Sequence, residues 1–389
     1  MEINFVSEIY KESIKHVLNY CFHGAPNIGE FFIKEIYTPE NCLGCFDEDR
    51  LVGLLYIYPY DMYFNKDIVA MGGIGVVSTL PEYRHYHCAS NMLVKSLEIM
   101  KDRGYAFSAL APFSYSFYRK YGWELGFSSK KYIIPIEELK GLGTGKGQFR
   151  PLTLEDRDNI GQVYKTSIAK YNGAIDRDRE NWEFRLKEIG KNRNYGYGYS
   201  RRGNELDGYI FFTMNEGVFH VHEMIYDSLE TKLELLRFIY NHSAQVKEVN
   251  WQVPLDDNTM LLLQNPRIEQ KIEPGMMIRV VDVVEVLKSY KYPDLYKGSF
   301  TINVTDQWAP WNNGTFRVAI EQGGVVVSKT DDTAADISCN IDAFSQFILG
   351  YIGLGEAIEL GKATVHNLQV IDELKTIFNE HVTYMTDNF

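Results

Sequence analysis

The stretch Met71–Trp123, MGGIGVVSTLPEYRHYHCASNMLVKSLEIMKDRGYAFSALAPFSYSFYRKYGW, sets the architecture of the N-terminal part of the chain. Its β-branched segment Ile74–Thr79 predicts a buried strand that ends at Pro81, because proline cannot donate a hydrogen bond to a sheet. Apolar residues recur at helical spacing over Ser90–Met100, and Phe107–Ala111 has the composition of the next strand. We therefore predict a strand, a loop, a helix and a second strand.

The loop between the first strand and the helix is predicted to bind an anion. It reads RHYHCA over Arg84–Ala89 and leads directly into the helix. The first backbone N–H groups of a helix have no partner within the helix, and the helix dipole adds positive potential at the same end. A phosphate or another anion is the ligand that such an end favours.

Length and charge limit the class of protein. The 389 residues are too many for one ordinary core and suggest two or three domains. The net charge of −12 comes without a basic cluster, so we expect no nucleic-acid partner. It suits a cationic or amine substrate, although solubility alone explains such a charge more often. No apolar run approaches the roughly 18–20 residues of a membrane span, and the N-terminus lacks a secretory pattern. We expect a cytoplasmic protein without a membrane partner.

Cysteine and histidine patterns give little support to metal or redox chemistry. Five cysteines in an unsecreted chain argue against a disulfide framework. Cys42 and Cys45 form a single CxxC pair, and His220 and His222 form a single HxH pair. A zinc site needs further ligands beside either pair. We therefore predict no metal, and Cys88 is interpreted as a small filler rather than a nucleophile.

The chain divides into three predicted domains, 1–147, 148–290 and 291–389. The first is an α/β unit that closes with a strand at Lys131–Pro135, followed by a linker, GLGTGKG at Gly141–Gly147. The second repeats its order of strands and helices, but YDSLETK replaces the anion loop with two acids and no glycine. Acidic groups repel a pyrophosphate, so this unit is expected to bind no coenzyme. The third has alternating strands followed by helices, which indicates an α+β module.

The sequence from Gly72 to Gly126 resembles the acetyl-CoA-binding core of the GCN5-related N-acetyltransferases (GNATs). In that family the loop reads Gln/Arg-x-x-Gly-x-Gly/Ala; here Arg84 and Ala89 fit, and His87 stands where the family has glycine. A side chain there is expected to crowd the pyrophosphate or to require a backbone angle that histidine tolerates poorly. The resemblance implies that these residues contact acetyl-CoA: Val77, Ser78, Thr79, Arg84, His85, Tyr86, His87, Cys88, Ala89, Ser90, Phe113 and Ser114.

The whole chain resembles the Eis (enhanced intracellular survival) family, which has two tandem GNAT-like mixed-sheet domains and a sterol-carrier-protein-like α+β domain. The resemblance implies an α/β (α+β) fold and transfer of acetyl from acetyl-CoA to primary amines of aminoglycosides or lysine side chains. It also implies a general-acid tyrosine, which matches Tyr118, and a base formed by the terminal carboxylate, which matches Phe389. Family members typically assemble as hexamers, so a homo-oligomer is expected.

The chemistry is consistent with these roles, and alternatives stay open. An attacking amine must lose a proton, which a carboxylate accepts when burial raises its pKa, and the departing thiolate needs a proton from an acid. Backbone amides of Val77–Thr79 would polarise the thioester carbonyl. By pattern alone, however, Tyr118 could be packing and Phe389 a frayed terminus. The alternative function is a GNAT-fold binding protein without catalysis, which binds a lipid or small molecule through its C-terminal domain.

Overall fold

The structure, a computed structural model, describes residues 1–389 apart from 192, 204, 294–295, 322–323 and 331–333. Two compact units share the chain: Met1–Phe127, Met276–His381 and Met385–Phe389 form the first, and Ser128–Gly275 and Val382–Tyr384 form the second. In the part of the chain that is described, we find no helix whose length and apolar character suit a bilayer crossing.

The N-terminal segment has the strand, helix and strand order predicted from the sequence. Its elements are β1 (Glu2–Phe5), α1 (Lys11–Cys21), α2 (Ile28–Glu35), β2 (Cys42–Asp47), β3 (Arg50–Phe64), β4 (Asp67–Thr79), α3 (Cys88–Asp102), β5 (Phe107–Leu110), α4 (Tyr115–Arg119) and β6 (Glu124–Leu125).

The middle segment, in the second unit, repeats this order in outline. Its elements are β7 (Ser128–Pro135), β8 (Gln148–Pro151), α5 (Arg157–Ile168), α6 (Arg179–Lys187), β9 (Tyr195–Ser200), β10 (Gly208–Asn215), β11 (Val218–Tyr226), α7 (Leu229–Tyr240), β12 (Glu248–Val253) and β13 (Glu269–Pro274).

The C-terminal segment combines strands and helices, as predicted. Its elements are β14 (Met277–Val280), α8 (Val283–Ser289), β15 (Gly298–Thr305), β16 (Gly314–Glu321), β17 (Gly324–Thr330), β18 (Ile337–Asn340), α9 (Ile341–Leu349), α10 (Leu354–Glu359), β19 (Ala363–Val365) and α11 (Ile371–Ile377).

These elements form three mixed sheets, which confirms the predicted fold class. The strand orders are β1-β2-β3-β4-β5-β14-β6 in the first sheet, β13-β7-β12-β11-β10-β9-β8 in the second and β17-β16-β15-β18-β19 in the third. Strand β4 begins before the predicted Ile74, because β3 and β4 form a long hairpin around Asn65 and Lys66. These two residues, with φ of 50° and 69°, make a two-residue turn of the kind that favours tight hairpins.

Two strands lie in sheets other than their chain positions suggest. Strand β7 was predicted as Lys131–Pro135, near the end of the first predicted domain, 1–147. It pairs instead with β12 and β13 of the second sheet. Strand β14, which follows the second unit in the chain, pairs with β5 and β6 of the first sheet. The assignment of β7 from sequence is wrong because an apolar pattern predicts a strand but carries no information on its distant partner. Membership of the units changes at Phe127 and Met276.

The glycine-rich segment Gly141–Gly147 is an ordered anion cradle rather than a free linker. Its alternate glycines all have positive φ, between 74° and 80°. Alternation of this kind turns successive N–H groups toward one point. The carboxylate of Glu234 on α7 lies there and accepts hydrogen bonds from the N–H groups of Thr144 at 2.6 Å and Gly145 at 3.0 Å. Composition alone indicated flexibility because it could not show this internal anion.

A buried ion pair joins the first and third sheets within the first unit. Arg279 on β14 donates from Nη2 to both carboxylate oxygens of Asp306, at 2.8 and 2.9 Å, and both side chains are fully buried. The N–H groups of Trp308 and Ala309 also donate to Asp306. Nearby, the Ser345 hydroxyl accepts from the N–H of Val280 at 2.8 Å.

We predict that Asp306→Asn lowers the free energy of unfolding of the first unit by about 3–5 kcal/mol, because it leaves a buried guanidinium without its counter-charge. Urea denaturation followed by tryptophan fluorescence measures this. The double variant Arg279→Met/Asp306→Leu, which removes both charges, is expected to lose less. Equal stability of the single variant and the wild type would contradict the importance of the pair.

Candidate active site

The first sheet opens at one end between β4 and β5. These parallel strands pair only from Met71 with Phe107 to Ile74 with Leu110, whereas β4 continues to Thr79. The backbone of the last five residues of β4 therefore has no β5 partner in the described pairing. The hydroxyl of Thr79 is also buried without a hydrogen-bond partner among the described residues. Unpaired backbone and a buried hydroxyl at one edge suit a polar, extended ligand.

A β-bulge bends β4 at this opening. On β3, Leu54 faces Ser78 and Tyr56 faces Gly75, so Val76 and Val77 together oppose a single residue. Val76 has φ of 48°, which is rare for a β-branched side chain. Bulges re-aim the backbone of a strand, and a strained residue that is held in place often marks a functional site. Val77–Thr79, predicted from the resemblance to contact coenzyme, follow this bend.

The predicted anion loop leads into helix α3, which begins at Cys88. The residue before it, His87, has φ of 59°, the left-handed conformation that glycine adopts readily. This is the backbone angle that the sequence predicted histidine would tolerate poorly. The His87 side chain makes no capping hydrogen bond to the helix. The first-turn N–H groups are thus left without that cap, as an anion site requires.

Side chains of this loop differ in exposure. Arg84, His85, Tyr86 and His87 are exposed, Ala89 and Ser90 are half-buried, and Cys88 is buried. The buried thiol packs in the core under α3. That position agrees with its interpretation as a filler.

Tyr118 lies in the interior on the short helix α4. Its side chain is 2% exposed and packs on the rings of Phe113, at 5.3 Å, and Phe117, at 5.1 Å. Burial raises the pKa of the Tyr118 hydroxyl well above its ordinary value. The group therefore keeps its proton throughout the neutral range, as a general acid must. Phe113 is itself exposed, and Ser114 precedes α4 with its hydroxyl 3.0 Å from that of Ser116.

The last residue, Phe389, is folded against strands β3 and β4. The ring of Phe389 lies 5.1 Å from the Tyr60 ring and 5.8 Å from the Tyr58 ring. A Cβ at Gly73 would come within 2.6 Å of that ring, and one at Gly75 within 3.2 Å of the terminal carboxyl carbon. The terminal carboxylate is therefore held beside the bulge, and the alternative of a frayed terminus does not describe this structure.

The two predicted catalytic residues approach β4 from different faces. Ile74 belongs to the same apolar cluster as Tyr118, whereas its neighbours Gly73 and Gly75 face Phe389. Successive residues of a strand point to opposite faces. Phe389 therefore lies on the face of β4 opposite to the Ile74 side chain, whose apolar cluster includes Tyr118.

The sequence interpretation missed the contribution of Gly73, Gly75 and the paired rings of Tyr58 and Tyr60. Their roles follow from the closeness of Phe389. A signal was present for Gly75, because it lies inside the predicted strand Ile74–Thr79 and a glycine inside a strand often marks a bulge or a close backbone approach.

The second unit carries its own groups at the corresponding helix start. Ser228 caps α7 by accepting from the N–H of Thr231 at 3.3 Å, and the hydroxyl of Thr231 donates to Asp227 at 2.7 Å. Lys232, in the first turn, forms a buried ion pair with Asp257 at 2.7 Å. An acid and a side-chain cap at this helix start are the physical reason to expect no coenzyme there.

Comparisons with known families agree with this geometry. Residues 2–126 match a family model described as an acetyltransferase (GNAT) domain, residues 173–280 match a second model with the same description, and residues 283–386 match a sterol carrier protein domain. The chain belongs to the GCN5-related N-acetyltransferases. The fold of this family implies the use of acetyl-CoA. Within them it has the Eis-like arrangement of two acetyltransferase domains and a sterol-carrier domain.

Similar proteins match this chain over most or all of their length. An uncharacterized N-acetyltransferase of Streptomyces avermitilis is 20% identical, over 92% of this chain and 88% of its own. A probable N-acyltransferase of unknown function from Enterococcus faecalis superposes with a TM-score of 0.92 at 23% identity, over 100% of this chain and 99% of its own. Eis1 of Mycobacterium abscessus superposes with a TM-score of 0.83 at 19% identity, over 100% of both chains. At these identities the structures show a common fold.

We predict that His87→Gly lowers the Kd for CoA by about three- to tenfold. This change makes the free energy of binding more favourable by roughly 0.7–1.4 kcal/mol. The change removes a Cβ from the predicted anion loop and puts glycine at a position with a left-handed backbone angle, which relieves the strain there. Isothermal titration calorimetry with CoA measures the effect. His85→Gly is the matched control: His85 is not left-handed, so glycine there adds only flexibility and is expected to raise the Kd. Weaker binding by His87→Gly would contradict the assignment of this loop.

Proposed function

We propose that this protein transfers an acetyl group from acetyl-CoA to a primary amine of a small molecule or a lysine side chain, with aminoglycoside-like amines as one substrate class. The position of the terminal carboxylate supports the proposal, because Phe389 folds back and its carboxyl carbon lies beside Gly75, next to the bulge of β4. The amine attacks the thioester directly, so the enzyme forms no covalent intermediate. The fit of three groups of residues supports the proposal.

The open edge of β4 and the start of α3 fit the coenzyme. The amides of Val77–Thr79 lie beyond the last β4–β5 pair, where they can bind the pantetheine arm and the thioester carbonyl. The first turn of α3 offers N–H groups to the pyrophosphate. In the loop before it, the N–H groups of Arg84 and Tyr86 already donate to the carbonyls of Pro81 and Tyr83. Phe113 and Ser114 follow β5 on the other side of the opening.

The terminal carboxylate of Phe389 is the proposed base. An amine is protonated in neutral water and attacks only after it loses a proton. The rings of Tyr58, Tyr60 and Phe389 surround this place and can also attract an ammonium group through their faces. A cationic acceptor suits both features as well as the acidic chain.

Tyr118 is the proposed acid for the departing thiolate. Its raised pKa means that the hydroxyl stays protonated up to and beyond the ordinary titration range of tyrosine. The hydroxyl is therefore in its protonated, proton-donating form near neutral pH. In this proposal the Tyr118 hydroxyl gives its proton to the sulfur and regains one after the product leaves.

We predict that Tyr118→Phe lowers kcat by about 10²–10⁴-fold with little change in the KM for acetyl-CoA. The assay follows release of the CoA thiol with an aminoglycoside or a polyamine as acceptor. Tyr115→Phe, which removes a hydroxyl from the same helix, is the control and is expected to keep near wild-type kcat. Wild-type turnover by Tyr118→Phe would remove the proposed acid.

We predict that one glycine added after Phe389 lowers kcat by at least about 10²-fold, because it moves the carboxylate while the ring stays in place. Phe389→Tyr keeps both the ring and the terminal carboxylate and serves as the control. Thermal unfolding should be unchanged in both variants. If the extended chain acetylates amines at the wild-type rate, the terminal base is excluded. Tight CoA binding without any turnover in the wild type would instead favour a binding protein.

A further inference from the structure

The C-terminal domain holds the end of the helix that carries Tyr118. Helix α4 has only five residues and lacks a side-chain cap at Ser114. A helix of this length does not hold its own conformation in water. Its position must therefore come from contacts with the rest of the first unit.

One contact joins the turn after α4 to the loop that follows β15. The indole Nε1 of Trp308 donates to the carbonyl of Lys120 at 2.5 Å. The Nε of Arg279, which is paired with Asp306 in the same loop, donates to the carbonyl of Tyr121 at 2.7 Å. The carbonyls of Lys120 and Tyr121, two and three residues after Tyr118, are thus each bound by a side chain from a later part of the chain.

The ring of Tyr121 extends this connection to the predicted coenzyme site. It lies 5.1 Å from the Trp308 ring, and its hydroxyl donates to the hydroxyl of Ser90 at 2.5 Å. Ser90 is in the first turn of α3. Trp308, Tyr121 and Ser90 therefore connect the helix of the acid with the helix whose start is predicted to bind the pyrophosphate.

A second set of contacts fixes the other side of the same turn. Arg119 at the end of α4 forms a two-point ion pair with the buried carboxylate of Glu124. Lys362 of the C-terminal domain lies 3.7 Å from Glu124, and Gln346 donates to the carbonyl of Leu125 at 2.8 Å. The C-terminal domain thus contacts both sides of the segment that follows Tyr118.

We infer that Trp308 is a positioning residue for Tyr118 and that the sterol-carrier-like domain serves the reaction by orienting this acid. The inference rests on the proposed role of Tyr118. Trp308 is not proposed to touch the coenzyme or the acceptor. It acts through the Lys120 carbonyl and the Tyr121 ring, which together set where the Tyr118 hydroxyl points.

A double-mutant cycle in the full chain tests this inference. Trp308→Phe keeps an aromatic ring near Tyr121 but removes the N–H that binds Lys120, and is expected to lower kcat roughly five- to tenfold with the KM for acetyl-CoA unchanged. In the Tyr118→Phe background the same change should have no further effect on kcat, because its target is gone. Trp311→Phe is the matched control: its Nε1 donates to the carbonyl of Val281 at 2.8 Å, away from α4, so kcat should stay at the wild-type value.

The outcomes separate the two ideas. If Trp308→Phe lowers kcat by the same factor with and without Tyr118, or if Trp311→Phe lowers it equally, Trp308 is only a structural residue and the inference is overturned. If Tyr118→Phe itself retains wild-type kcat, the proposed function loses its acid. Thermal unfolding of each variant, measured in parallel, corrects every kcat for the fraction of folded protein.

Discussion

The ion pair between Arg279 and Asp306 is the interaction on which the first unit depends. Burial lowers the pKa of the Arg279 guanidinium, so a group that water would stabilise must be stabilised here by protein partners. Those partners are the carboxylate of Asp306 and the carbonyls of Tyr121 and Val280. A buried charge of this kind forces its surroundings into one arrangement, because each lost hydrogen bond is expensive. The strand β14, the turn after α4 and the loop after β15 are consequently fixed relative to one another.

The candidate site depends on a second constraint, which is backbone strain at two places. Val76 and His87 both have positive φ, and both lie where a relaxed strand or a glycine would be the simpler solution. Each costs the fold about 1 kcal/mol or more. Packing around β4 and α3 supplies the compensation, since the residues beneath them are fully buried. The result is an opening in the first sheet whose backbone groups point outward from one edge.

Local pattern in the sequence predicted much of this site, and long-range pairing accounts for the rest. The strand at Ile74–Thr79 and the helix over Ser90–Met100 follow from neighbouring residues, whereas the unfavourable angle at His87 was indicated by the glycine that the resembling family has there. The exchange of β7 and β14 between sheets does not follow from neighbouring residues, because its partners are more than a hundred residues apart. The anion cradle at Gly141–Gly147 also escaped prediction, since Glu234 lies far along the chain. For Phe389 only the resemblance to a family indicated a role; composition offered nothing at the terminus.

The exchanged strand β14 has a consequence for how the chain is made. During synthesis, strands β1 to β5 are made long before Met277–Val280, which forms β14. The edge of β5 that pairs with β14 is therefore uncovered in the nascent chain. An uncovered edge in a nascent chain invites pairing with the wrong neighbour. An isolated N-terminal fragment would have the same exposed edge permanently. The N-terminal segment therefore completes its sheet only after Met277–Val280 has been synthesised.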